Sequence, residues 1–105
     1  MSIVAQDDNG NLVEAYTPAV SQVFAAGNTS AQSAAFAAGT TLVRVAASLG
    51  HCHVAFGSNP TASITTSVMI PNNSVEFFKV TAGNKMAYIK DATTAAATVC
   101  VTELA

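Results

Sequence analysis

Charge is scarce in this chain: 10% of its 105 residues are Asp, Glu, Lys or Arg, against a usual share of about a quarter. Four basic residues against six acidic ones leave a net charge of -2. No basic stripe is available to neutralise phosphates, which argues against a nucleic-acid binder. Long apolar runs are missing too, because Asn, Ser, Thr and Gly interrupt each one well short of the roughly 20 residues a bilayer span needs. No membrane partner is expected. The N-terminal run Met1 to Asp8 lacks a basic region and a long apolar core, so the expectation is synthesis and retention in the cytoplasm unless the chain leaves within a larger assembly. Two cysteines, Cys52 and Cys100, fall short of a disulfide framework and sit in strand-like segments. Buried free thiols are the favoured reading, and a Cys52–Cys100 bridge requires that the two strands be neighbours. Catalytic signatures are also missing. There is no G-x-S-x-G, P-loop, G-x-G-x-x-G or H-E-x-x-H, and two histidines with six scattered carboxylates offer no convergent acid–base set. Neither an enzyme nor a cofactor is expected.

What the chain does have is hydrophobicity, at 50% of residues, which excludes charge-driven disorder and provides for one core at this length. From Ser21 on, short segments rich in Val, Phe, Ile and Thr alternate with turn chemistry such as Gly27-Asn28, Gly57-Ser58-Asn59-Pro60, Pro71-Asn72-Asn73 and Gly83-Asn84. The pattern predicts about eight strands, near residues 21–26, 33–37, 41–47, 52–56, 67–70, 75–80, 85–90 and 98–104. The expected fold is all-β, an antiparallel, jelly-roll-like β-sandwich over residues 21–105. The Ala-rich stretch 31–38 keeps a short helix as an alternative to its strand. Residues 1–20 carry Asp7, Asp8 and Glu14 with no basic residue, and Asn9-Gly10 between two apolar stretches suits a type I′ hairpin. With Pro18 interrupting the pattern, this segment reads as a hairpin or as an arm packing on a neighbour. Asp7 to Asn11 is not a calcium loop, since the sixth and twelfth positions hold Leu12 and Pro18 instead of Gly and Glu.

Alternation places Cys52, Val54 and Phe56 on one face of their strand and His53 and Ala55 on the other. Several strands carry apolar or small neutral residues on both faces, so a second covering is required, and in a chain this short the expected cover is another chain. His51-Cys52-His53 offers zinc donors, but strand geometry turns Cys52 away from the two histidines and no further ligands follow at ribbon or finger spacing. A core cysteine between polar strand residues is the better account; a metal shared by symmetry-related histidines is the surviving alternative. Glu76, Lys79, Lys85, Lys90 and Asp91 form the densest charged group and are expected to make a solvated or salt-bridged rim.

The blocks Thr40 to Val45, His51 to Ala62, Ile70-Pro71, Val75 to Val80, Gly83 to Ile89 and Val99 to Leu104 resemble a group of small all-β proteins encoded among the virion structural genes of tailed bacteriophages. The resemblance covers residues 21–104. It implies a capsid decoration or cement protein that binds and stabilises the head lattice, located on the capsid surface after synthesis in the host cytoplasm. The implied partners are the major capsid protein and further copies of the chain, with a trimer expected at sites of local threefold symmetry. Another virion component is the alternative: a head-fibre base, a tail or adaptor protein, or a host-surface-binding domain. Expected contact residues are Asp7, Asp8, Glu14 and Tyr16 in the N-terminal segment, Arg44, His51 and His53 on the strands, and Glu76 and Lys79 in the charged group.

Overall fold

The computed structural model describes Ala5–Gln6, Leu12–Val13 and residues 18–104. The two short segments, β1 (Ala5–Gln6) and β2 (Leu12–Val13), pair antiparallel as a two-stranded sheet of their own. The remaining strands are β3 (Pro18–Ala26), β4 (Ala31–Gln32), β5 (Leu42–Ser48), β6 (Cys52–Gly57), β7 (Val68–Ile70), β8 (Val75–Lys79), β9 (Lys85–Lys90) and β10 (Ala97–Leu104). They form two four-stranded antiparallel sheets, ordered β3-β10-β5-β8 and β4-β9-β6-β7. The pairings nest: β3 with β10, β4 with β9, β5 with β8 and β6 with β7. A long hairpin rolled up in this way is a jelly roll. The all-β sandwich expected from alternation and turn spacing is the observed fold.

Alternation also builds the core. Val43, Val45 and Ala47 of β5, Val99 and Val101 of β10, Cys52 and Val54 of β6, and Met86 and Tyr88 of β9 all point between the sheets and are buried. Phe24 stacks on Tyr88 across the two layers at a centroid distance of 4.5 Å. Phe56 meets Phe36 and Phe78 at 6.3 and 5.1 Å. Aromatic pairs in these geometries add to what simple area burial contributes.

Two local expectations are corrected, and the favoured reading of free thiols is the one observed. The segment expected as a strand over residues 33–37 pairs earlier, at Ala31–Gln32. Beyond it the backbone still bonds alongside β9, with the Ser33 and Phe36 N–H groups donating to the Met86 and Asn84 carbonyls at 2.7 and 2.8 Å. Its small Ala side chains define no alternating face, so regular pairing stops while the main chain stays satisfied. No helix forms there. Pro18 does not end the N-terminal segment outside the sandwich but is the first residue of β3, a position where a missing N–H costs nothing because β3 is an edge strand. Cys52 and Cys100 lie in different sheets as free thiols, which removes the bridge. Burial pushes the Cys52 thiol up to about 11, as expected for an inert core cysteine.

Candidate functional site

The two sheets differ in what covers their outer faces. On the β4-β9-β6-β7 sheet the cover is the chain itself: residues 58–67, between β6 and β7, fold across it. Gln32 Nε2 donates to Asn59 Oδ1 and to the Pro60 carbonyl, both at 2.8 Å. The Ala62 N–H donates to Ser30 Oγ at 2.9 Å. Ala87, on the outward side of β9, is fully buried, and Ala62 of this loop is buried as well. This loop covers part of the sheet's outer face, while Met69, opposite His53 on β7, remains 45% exposed.

The loop is held at its far end by His53. Its Nδ1 lies 3.2 Å from the Ser67 carbonyl oxygen and its Nε2 2.8 Å from Asp91 Oδ1. His53 is only 6% exposed, and its side chain acts as a clamp within the chain. His51 Nδ1 accepts the Asn72 N–H at 2.8 Å. Both ring nitrogens of His53 and one of His51 are thus engaged by protein groups. Among the described residues no group of three or more His, Cys, Asp or Glu is placed to hold a metal ion.

Asp91 also accepts from the hydroxyl and the N–H of Thr93. The Thr93 hydroxyl first, then His53 and the Thr93 N–H, hold its carboxyl well below the usual carboxylate range. A carboxyl whose folded-state value lies below its unfolded one adds stability at neutral pH, and that stability is lost as pH falls below about 4. Melting temperatures measured at pH 7 and pH 3 should show a steeper acid loss for the native chain than for Asp91→Asn, which lacks the titrating group.

The β3-β10-β5-β8 sheet has no such loop over it among the described residues. Its register places Val23, Cys100, Ala46 and Val75 in one row across the outer face, and Ser21, Thr102, Arg44 and Phe77 in the next. Val23 is 66% exposed, Phe77 55% and Val75 42%. A shared hydrogen bond of 2.9 Å joins Ser21 Oγ and Thr102 Oγ1 within the second row. The charges on the four strands' outward side are Arg44, half-buried, and Lys79, exposed. The face therefore carries Val23, Val75 and Phe77 on its two edge strands, with Thr102 and Arg44 between them and no carboxylate on the outward parity of the four strands.

The expected contact residues divide accordingly. Asp7, Asp8, Glu14 and Tyr16 lie outside the described residues. Arg44 and Lys79 are on the open face, Glu76 is exposed on the same edge strand, and His51 sits half-exposed at the start of β6. The charged group does not form one rim. Glu76 and Lys79 belong to one sheet, Lys85 and Lys90 to the other, and Lys90 Nζ is spent on the Thr94 carbonyl at 2.8 Å. The contact of His53 Nε2 with Asp91 Oδ1, at 2.8 Å, is the one with salt-bridge geometry among the described residues. Sequence reasoning missed Val23, Val75 and Phe77. Their signal was present in β8, where apolar residues occupy both parities of Val75-Glu76-Phe77-Phe78. The buried acid Glu103 is structural: its Oε1 accepts from the Ala37 N–H and the Thr40 hydroxyl at 2.8 and 2.7 Å, pinning the turn before β5.

No protein-family model and no curated protein matches the chain. Solved structures do share its fold. Hydroxypropylphosphonic acid epoxidase from S. wedmorenis superposes with a TM-score of 0.53 at 13% identity, over 84% of this chain and 49% of that one. The same enzyme with fosfomycin gives 0.54 at 12% identity, over 96% and 58%. Its Co(II) form with Tris buffer gives 0.52 at 16%, over 95% and 61%. The chain spans about half to three-fifths of the epoxidase's length, and identities this low show a common fold alone.

Proposed function

We propose that this chain is a structural component of a tailed-phage virion, a decoration or cement protein that binds the head lattice. The observation that carries the reading is the open outer face of the β3-β10-β5-β8 sheet, with Val23, Val75 and Phe77 exposed in adjoining rows. Large apolar side chains left exposed on the uncovered face of a small domain support an association surface. The sequence blocks that resemble small virion proteins supply the kind of partner, a major capsid protein. A protein that binds only the assembled lattice stabilises it in proportion to occupancy, and needs repeated identical contacts with no chemistry of its own. Residues 1–17, acidic and ahead of the first sandwich strand, are the candidate anchoring arm. The epoxidase likeness, at 11–16% identity, speaks to the fold and lends little to an enzymatic reading.

The decisive measurement is the copy number in purified particles together with the position of the density in a particle reconstruction. Hundreds of copies on the head are expected. A handful at one vertex or along the tail would replace decoration with another virion role, and absence from particles would end the virion reading altogether. Phe77→Ser, at an exposed position, should leave the melting temperature nearly unchanged while weakening particle binding about tenfold or more. Deleting residues 1–17 should likewise spare the sandwich and weaken binding.

A further inference from the structure

We propose that β3 pairs antiparallel with β3 of a second copy across a twofold axis, joining two β3-β10-β5-β8 sheets into one continuous eight-stranded sheet. The inference deepens the virion reading by naming the surface through which the chain associates with itself.

A free sheet edge is a template for further pairing, and proteins that must avoid this keep their edges short, charged, bulged or interrupted by proline. Three of the four edges here are protected in that way. The strand β4 has two residues and β7 three, and five-residue β8 carries Glu76 and Lys79. The strand β3 is different. It has nine residues, Pro18-Ala-Val-Ser-Gln-Val-Phe-Ala-Ala26, with no charge and with its proline at the very start. Among the described residues its backbone pairs on one side only, with β10.

The occupant follows from the strand's own order of residues. An antiparallel pair centred on Gln22 sets Val20 opposite Phe24 of the second copy, Ser21 opposite Val23 and Ala19 opposite Ala25. Val20 lies on the inward parity of β3 with Phe24 and Ala26, yet is 51% exposed because the core ends before it reaches the edge. In the pair, the aromatic ring of the other copy would cover it. Val23, 66% exposed on the outward side, would meet a serine methylene and the flank of its own symmetry mate. A twofold contact brings each residue near its own copy, so an uncharged strand meets no like charge. The trimer expected from lattice symmetry would need a second, different edge to receive β3, and the other three edges are short or charged.

The test is the mass of the purified full chain in solution, by sedimentation or light scattering. A species of twice the 10.6 kDa chain mass is expected. Val23→Lys, at an exposed site where circular dichroism should report an unchanged fold, places two lysines diagonally across the axis and should weaken dimerisation about tenfold or more. A second variant keeps the proposal open to refutation if that one misfolds. In a Cys100→Ser background, Gln22→Cys faces its own copy at a separation suited to a disulfide and should form a reducible covalent dimer, while Ser48→Cys should not. A monomer, a trimer whose mass Val23→Lys leaves unchanged, or no Gln22→Cys cross-link would overturn the pairing. Particle binding by a native chain that sediments as a monomer would leave the decoration reading standing without the pairing. A dimer that never associates with particles would do the reverse.

Discussion

Gly50→Ala is expected to cost about 4 kcal/mol or to prevent folding, since losses of that size follow when backbone and side chain cannot both be accommodated. A methyl group at position 50 would overlap both Thr94 Cγ2 and the Ala96 carbonyl oxygen. The threonine could rotate, but only by giving up the hydrogen bond its hydroxyl accepts from the His51 N–H at 3.3 Å. The carbonyl belongs to the backbone leading into β10 and has nowhere to go. The neighbouring residue sharpens the test. Leu49, not Gly50, takes the left-handed conformation of this turn, with φ 67° and a side chain 72% exposed. Leu49→Gly should therefore be tolerated or mildly stabilising, where Gly50→Ala is not. Thermal melts of the two variants read the contrast directly, and a Gly50→Ala protein that melts with the native chain would mean that the 94–96 segment moves aside freely.

The second large effect is expected in the core. Met86 is fully buried on β9, between the sheets, with Val54 and Tyr88 of the same core. Truncation to alanine removes three heavy atoms and leaves a cavity that two hydrogen-bonded sheets cannot close. The expected loss is about 3 kcal/mol, or a melting temperature lower by about 10–20 °C for a domain of this size. Chemical denaturation should show a lower midpoint with an unchanged slope, the mark of lost packing without a change in the extent of unfolding. Phe77→Ser removes more apolar surface from the formula and should do far less to stability, because that surface is already in water.

Local pattern and long-range placement were unequally readable in the chain. Lys85–Lys90 is a strand from its first residue to its last, as alternation predicts, and the parity that assigned Cys52, Val54 and Phe56 to the interior is the parity observed. Period two is a local property, carried by neighbouring residues. The cover over the β4-β9-β6-β7 sheet is not. Residues 58–67 have no periodicity, and what ties them down is a histidine whose carboxylate partner lies 38 positions away. His53 therefore looks like an outward-facing polar residue until the fold brings Asp91 to it. The open face stood between these cases. Its residues are visible in the alternation of β3 and β8, but only the register across β10 and β5 shows that Val23, Val75 and Phe77 occupy adjoining rows.

The nested pairing also has a consequence for how the chain comes to be folded. The strand β10 lies between β3 and β5, so the last sandwich strand to leave the ribosome holds together two that were made long before it. Until Ala97–Leu104 has emerged, β3 has no partner in its own sheet and Val45 and Val43 lack the strand that seals them. Topologies that depend on such distant pairings close slowly, and leave apolar strands unprotected while they wait. Folding of this domain should therefore be completed only once Ala97–Leu104 is available to pair, and a stall or truncation before residue 97 should leave an aggregation-prone chain rather than a smaller folded one.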